Sequence, residues 1–164
     1  MKKITLLLMF VLISATAFSQ ADSADGTADV TAQIVSPIQI TDGSALNFGS
    51  INGTATGGDV TVSPAGARSF TNTAMAITTA TPITAAKFNI TAANGFSYKI
   101  DIPATTLTGT GTPMGITFDH DRADTGNIGS GSAQELNVGG TLTVGDGQTS
   151  GAYSGTVTVT VSYE

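Results

Sequence analysis

Residues 151–164 have the sequence GAYSGTVTVTVSYE, in which side chains alternate in character from one position to the next. The even positions from 152 to 162 hold small or hydroxylated residues, and the odd positions are mostly apolar. A period of two is typical of a β-strand with one face on a core, because successive side chains point to opposite faces. This stretch predicts one terminal strand over residues 152–163. Its odd face comprises Gly151, Tyr153, Gly155, Val157, Val159, Val161 and Tyr163.

The same alternation recurs upstream in short segments that are separated by Gly, Pro and Asn-Gly turn signals. No apolar pattern of helical period persists for three turns after the first twenty residues. Many short strands at close spacing predict an all-β sandwich or barrel. We expect a hairpin turn at Asn94-Gly95 and a polar loop over residues 120–132. The expected strands are residues 45–50, 59–63, 74–79, 85–92, 96–102, 105–108, 115–119 and 134–144.

A second long alternating stretch lies near the start of the chain, in residues 28–40. Ser36-Pro37 interrupts it, and proline belongs at a strand edge or bulge because it cannot donate to the ladder. The stretch therefore predicts an extended segment with one apolar face. That face is formed by Ala28, Val30, Ala32, Ile34, Ile38 and Ile40.

The first twenty residues, MKKITLLLMFVLISATAFSQ, have the parts of a secretory signal peptide in order. Lys2 and Lys3 precede an apolar run, and Ala15-Thr16-Ala17 fits a cleavage site, although a cut beside Gln20 also fits. The run is shorter than the roughly 20 residues that cross a bilayer. We expect export, with no membrane span after the signal is removed.

Removal of residues 1–20 leaves 164 − 20 = 144 residues, which is one ordinary domain. Four basic and twelve acidic residues remain, giving a formal charge of 4 − 12 = −8, so nucleic acid and anionic membranes are poor partners. The chain has no cysteine, so strand pairing, core packing or a partner chain must stabilise it. We divide it into a signal (1–20), a flexible segment (21–27), a first strand (28–41) and a sandwich domain (42–164).

The residues offer little support for catalysis. The one histidine lies in Asp119-His120-Asp121, and no serine occupies a G-x-S-x-G elbow. We expect His120 to be a solvated loop residue and the protein not to be an enzyme.

Calcium could draw on the carboxylates of Asp119, Asp121 and Asp124. However, Ala123 stands where the EF-hand pattern requires Asp or Asn, and no bidentate Glu follows at the right distance. We expect a plain acidic loop, no metal and no cofactor.

The terminal stretch resembles the last strand of pilus subunits that are assembled by the chaperone/usher route. Tyr163 is penultimate and Gly151 is fourteenth from the end, as in that pattern, with valines between them. From about Ala28 to Glu164 the chain resembles the domain-of-unknown-function family 4402, which is related to archaic pilins and spore coat U proteins. Unlike many pilins, it has no cysteine. The resemblance is carried by residues 45–49 (ALNFG), 59–66 (DVTVSPAG), 86–91 (AKFNIT), 136–144 (LNVGGTLTV) and 153–163 (YSGTVTVTVSY).

This resemblance implies an incomplete immunoglobulin-like, pilin-like β-sandwich with a groove where its last strand is missing. A periplasmic chaperone would fill the groove first, and the N-terminal segment of another copy would replace it, which is strand addition. It thus implies a donor strand on the even face of residues 28–40, and a chaperone and assembly strand on the odd face of residues 151–163. The other interpretation is that residues 28–40 form the first strand of a self-complete domain.

Together these features predict an exported structural subunit of a cell-surface fibre or coat. It would pass through the periplasm and an outer-membrane usher, then join copies of itself or related subunits head to tail into adhesive polymers. The alternative is a monomeric secreted sandwich that binds a ligand such as a surface glycan. Most aromatic residues lie within strand-like patterns, so no stacking platform for sugar is evident.

Overall fold

A computed structural model describes residues 23–53 and 56–164. The expected signal peptide, residues 1–20, lies outside the described residues. The chain divides into two compact units, Met1–Ile34 and Val35–Glu164. In the first unit, residues 23–34 form no strand or helix and their side chains are exposed. Among the described helices there is none long and apolar enough to cross a membrane.

The second unit is all-β, which confirms the predicted fold class. It also contains one short 3₁₀ helix, Thr73–Met75. The strands are β1 (Gln39–Ser44), β2 (Gly58–Val62), β3 (Arg68–Phe70), β4 (Ala86–Thr91), β5 (Ser97–Asp101), β6 (Thr105–Gly109), β7 (Met114–His120), β8 (Asn127–Ile128), β9 (Ala133–Val144), β10 (Tyr153–Ser154) and β11 (Thr160–Tyr163).

The strands form a larger sheet of eight and a smaller sheet of three, with antiparallel neighbours. The larger sheet has the order β1-β4-β9-β7-β6-β10, with β2 paired to both β9 and β3, and the smaller has the order β11-β5-β8. Along one edge of the long strand β9, residues 133–138 pair with β4 and residues 140–144 pair with β2. Gly139 lies at this change, where a Cβ atom would collide with the Val62 carbonyl.

Two clusters of buried side chains form the core of the second unit. The first lies on the larger sheet around Val60, Ile116 and Leu142. The second joins the two sheets, with Leu136 of β9 and Tyr98 of β5 both fully buried. Side chains of both sheets thus share one core, which is the arrangement of a β-sandwich. The immunoglobulin-like and pilin-like form of that sandwich stays a prediction.

Two of the expected strands are wrong. Residues 45–50 form no strand, because the ladder with β4 ends at Ser44 and only an isolated bridge from Asn47 to Thr84 follows. Residues 74–79 begin in the 3₁₀ helix, where the Asn72 side chain accepts a hydrogen bond from the Ala74 N–H (3.1 Å). Such local side-chain bonds compete with strand pairing.

The turn at Asn94-Gly95 exists but does not make a hairpin. The Phe96 N–H donates to the Ala93 carbonyl (3.3 Å), and Gly95 has a φ of 81°. No described non-glycine residue, Asn94 included, has a positive φ. A type I′ hairpin needs positive φ at both central residues. The turn instead carries the chain from β4 in the larger sheet to β5 in the smaller one.

Candidate functional site

Two chain segments lie along one side of the sandwich. The first, residues 39–51, contains β1 at the edge of the larger sheet. The second, residues 148–163, ends in β11 at the edge of the smaller sheet. Gln39 pairs with Thr91 and Asn47 with Thr84, so residues 39–47 lie antiparallel beside residues 84–91. The two segments leave a cleft between them.

The cleft has a volume of about 920 Å³. Residues 43–51 line it on one side, and we call them the N-terminal rim; residues 148–157 line the other and are the C-terminal rim. Its floor consists of core side chains such as Met114, Ile116 and Leu142. No residue that lines the cleft, among those described, is charged.

The N-terminal rim is held by Arg68. Its Nη1 atom donates to the carbonyls of Phe48 (2.7 Å) and Ser50 (2.8 Å), and its Nη2 atom donates to the Ile77 carbonyl (3.0 Å). The guanidinium also lies 4.8 Å from the centroid of the Phe70 ring. Arg68 therefore fixes the rim through carbonyl oxygens.

The other edge of this rim has unpaired backbone groups. Asn47 exchanges two hydrogen bonds with Thr84 (2.8 and 3.2 Å), so the backbone of the adjacent residue Leu46 turns away from Thr84. Neither backbone group of Leu46 bonds to another described residue. At Leu46 the rim thus presents backbone groups that no described residue pairs.

The C-terminal rim belongs to a segment that changes sheets. Tyr153 and Ser154 pair with β6, and β11 pairs with β5, so the single strand expected over residues 152–163 is wrong. Residues 155–159 cross between the sheets, which stack about 10 Å apart in sandwiches. Within the described part of the chain, the backbone of these five residues makes no hydrogen bond.

The odd residues of this segment nevertheless contact the core. Val157, Val159, Val161 and Tyr163 pack against the second core cluster, and Tyr153 packs against the first. Gly151 has a φ of 152°, and a Cβ atom there would collide with the Thr110 hydroxyl. An apolar face that lies beside unpaired backbone is the feature that lets a sheet edge accept another strand.

Tyr153 fixes the segment at one end. Its hydroxyl donates to the Thr149 carbonyl (2.8 Å) and accepts from Nε2 of Gln148 (2.8 Å). The same Nε2 atom donates to the Thr112 carbonyl (2.7 Å). These bonds hold the β9–β10 loop against the turn between β6 and β7.

Tyr163 fixes the other end. Its hydroxyl donates to the Ser36 carbonyl and accepts from the Ala93 N–H, both at 2.8 Å. Its ring meets Phe96 edge to face, with centroids 6.0 Å apart. Tyr163 is thus hydrogen-bonded to Ser36, which lies three residues before the start of β1.

The six apolar residues of the expected donor face are not gathered in one strand. Val30 and Ile34 are 93% and 98% exposed, and Ala28 and Ala32 are exposed as well. Ile38 packs against the second core cluster, and Ile40, in β1, is 38% exposed. We call residues 23–35 the extension, because they precede the part of the chain that enters the sandwich.

The acidic segment, residues 119–124, contributes no residue to the lining of the cleft. His120 ends β7 in register with Val138, and its side chain is only 10% exposed, so the expected solvated loop residue is wrong. Its Nε2 atom lies 3.1 Å from Oδ1 of Asp124, and its buried Nδ1 atom has no partner among the described residues. Asp119 and Asp121 flank it, but no metal-binding group of three or more His, Cys, Asp or Glu occurs within residues 23–53 and 56–164.

Asp121 has a specific structural partner. Its Oδ1 atom accepts from the Asn137 N–H (3.0 Å) and its Oδ2 atom from Nδ2 of Asn137 (2.7 Å). Partial burial raises the pKa of Asp121, but these hydrogen bonds and the charge of Arg122 oppose it, and the pKa is lowered overall. The ionised carboxylate therefore ties β9 to the segment after β7.

This linkage predicts a loss of stability in acid. A lowered pKa in the folded state stabilises the fold above the unfolded value of about 4, and that stabilisation disappears as the pH falls through the folded value. We expect the Tm of the wild-type chain to fall more steeply below pH 4 than that of Asp121→Asn. Asp146→Asn, which alters an exposed loop carboxylate, is the control and should follow the wild type. Identical acid profiles for all three chains would contradict the prediction.

Sequence patterns did not identify Arg68 or the N-terminal rim as parts of a site. Residues 45–48 alternate like a strand, and nothing in that alternation marks an edge as unpaired. The one available signal is that Arg68 is among only four basic residues after residue 20.

Comparison with models of protein families gives a match over most of the second unit. The profile of a domain of unknown function, DUF4402, matches residues 38–163, a range that includes β1, both rims and Tyr163. Searches of curated proteins and of solved structures give no significant match. The match confirms the family resemblance, whereas the relation to pilins and spore coat proteins stays a prediction. Since the profile covers most of its length, the chain belongs to the DUF4402 family.

Proposed function

We propose that this protein is an exported structural subunit of a cell-surface fibre, in which the extension of one copy enters the cleft of the next. The observation that most supports this is the form of the cleft. Unpaired backbone borders it on both sides, and core side chains form its floor. A strand placed there would pair with both edges while its apolar face covered the floor.

The chemistry of the extension matches that of the cleft. Val30 and Ile34 share one face of an extended strand, and both are almost fully exposed. The cleft lining is uncharged, and Asp29 is on the opposite face of the extension. Burying the two apolar side chains contributes roughly 1.5–3 kcal/mol each, before the cost of ordering the segment. Backbone pairing with the rims adds to this.

Chain length favours exchange between copies over insertion into the same copy. Residues 36–43 lead into β1 and run along it, so their seven steps cover about 23 Å when extended at 3.3 Å per residue. An extension that reversed at Ser36 would use as many residues to return, so position 29 would arrive beside Gly43. Val30 and Ile34 would both stop short of their own cleft. Insertion into another copy has no such limit.

Exchange between copies is a head-to-tail contact, which builds an open fibre where the rotation between successive copies does not close a ring. The signal-peptide pattern of residues 1–20 supports export. By the resemblance to pilins, a periplasmic chaperone would cover the cleft in transit, and an outer-membrane usher would deliver the subunit to the cell surface. The proposed role is structural and not catalytic.

The test compares residues 21–164 with residues 36–164, which keep the whole of β1. We expect the longer chain to form oligomers that grow with concentration in sedimentation, and the shorter chain to stay monomeric. A peptide of residues 24–35 at about 100 times its Kd should raise the Tm of the shorter chain by roughly 5–10 °C. The control peptide carries Asp at positions 30 and 34 and should have no effect. If the longer chain remains monomeric and neither peptide binds, the secreted ligand-binding module becomes the better interpretation.

A further inference from the structure

We infer that Tyr163 is a positioning residue that keeps Val30 and Ile34 of the extension out of their own cleft and so directs them to another copy. This inference rests on the proposed function. It starts from the hydrogen bond between the Tyr163 hydroxyl and the Ser36 carbonyl (2.8 Å), which joins the end of the last strand to the base of the extension.

The Tyr163 side chain is held from three directions. The Ala93 N–H donates to its hydroxyl (2.8 Å), Phe96 contacts its ring, and β11 pairs with β5 as far as Tyr163. The next residue continues this attachment, since the Glu164 N–H donates to the Ser97 carbonyl (3.2 Å). Tyr163 is therefore a fixed point of the sandwich.

The backbone at Ser36 is stiff on its own account. Pro37 has a fixed φ and no N–H, and its ring biases the preceding residue toward extended conformations. With the Ser36 carbonyl bound, the free part of the chain ends at Val35. The hydrogen bond thus sets the position from which the extension can turn.

Two residues of free chain decide whether Val30 reaches its own cleft. When the chain turns at Ser36, Val30 returns only to the level of position 42, since 36 + 6 = 42. If Ser36 and Pro37 are released, it turns at Ile38 and Val30 returns to position 46, since 38 + 8 = 46. Leu46 lines the cleft. Release of about 7 Å of chain therefore permits self-insertion, which the hydroxyl of Tyr163 opposes.

Because the chain has no cysteine, paired cysteines can report which copy is entered. The probe is the mature chain with Val30→Cys and Thr156→Cys, the second on the C-terminal rim. Mild oxidation at fixed concentration and non-reducing gels separate disulfides between copies from those within one copy. We expect links between copies in this background. Adding Tyr163→Phe should raise the ratio of internal to intermolecular links roughly fivefold, the factor expected for one lost hydrogen bond.

Tyr98→Phe is the matched control. Tyr98 pairs directly with Tyr163, and its hydroxyl donates to Oε1 of Gln134 (3.2 Å) and not to Ser36. It should leave the ratio unchanged. Pro37→Ala loosens the same base without altering β11 and should shift the ratio in the same direction as Tyr163→Phe.

The outcomes separate the two claims. Absence of any disulfide in the parent pair would contradict the proposed function itself. Links between copies whose ratio stays the same in Tyr163→Phe and Pro37→Ala would contradict only the role of Tyr163. Because the ratio is measured among chains that have cross-linked, a general loss of stability does not imitate the expected shift.

Discussion

We expect the replacement of both Val30 and Ile34 with Asp to abolish assembly of the mature chain and to leave its fold intact. The two side chains are 93% and 98% exposed, so their loss removes no contact within the folded domain. In the cleft, the apolar burial is lost and two carboxylates enter an uncharged lining. Loss of the apolar contribution alone weakens association by roughly 10²–10⁴-fold. Sedimentation velocity over a range of concentrations measures the association, and a thermal melt verifies the fold.

The matched control changes the other face of the same segment. Thr31→Asp with Gln33→Asp adds the same charge at neighbouring exposed positions. These side chains would point away from the cleft floor, so assembly should persist. Equal loss of assembly in both double variants would show that net charge matters and that the apolar face does not.

Leu136→Ala should cause a large loss of stability in the sandwich. Leu136 is fully buried in the core cluster that joins the two sheets, directly opposite Phe88. Truncating such a side chain costs about 3 kcal/mol, within a usual range of about 2–5. For a domain of this size the Tm should fall by roughly 6–12 °C. Urea unfolding followed by circular dichroism measures the free energy of unfolding.

Leu107→Ala makes the same chemical change on the cleft floor. Leu107 is half-buried in the domain, so its truncation should cost less than half as much as Leu136→Ala in the absence of a guest strand. Adding the peptide of residues 24–35 should increase that cost, because the peptide covers the side chain. If both truncations cost the same without peptide, the cleft is already closed and the acceptor interpretation is wrong.

Alternation in the sequence predicted the strands in which burial alternates regularly. In β4, Ala86, Phe88 and Ile90 are buried and the residues between them are not, so residues 85–92 were located almost to the residue. In contrast, β3 and β8 have three and two residues, too few for a period to be visible. Pattern length therefore limited what could be found.

Alternation shows which face of a segment is covered, but not by which strand. In the terminal segment Val157 and Val161 both face the core, although residues 153–154 pair with β6 and residues 160–163 pair with β5. In residues 28–40 one alternating pattern includes residues with different environments. Ile40 belongs to β1, whereas Ile34 is almost fully exposed. The sequence could not distinguish them, because an apolar face has the same pattern whether its own chain or another covers it.

The candidate site was predictable only in part. Gly151 and Tyr163 were identified from the pattern at the end of the chain. In the structure a Cβ atom at Gly151 would collide with Thr110, and the Tyr163 hydroxyl donates to the Ser36 carbonyl. The partners of Tyr163 and Arg68 are backbone carbonyls and N–H groups, which every residue type but proline provides in full. Such contacts carry no signature in a sequence.

The continuity between the extension and β1 bears on how such a fibre carries a mechanical load. Tension on one subunit would enter it through the extension at Ser36 and pass directly into β1, which is bonded to β4 along its length. Inter-strand hydrogen bonds lie perpendicular to the strands, so a pull along β1 loads them together in shear instead of opening them one by one. With no cysteine in the chain, no disulfide shares this load. The tensile strength of each link would then depend on the direction of pulling more than on the number of contacts.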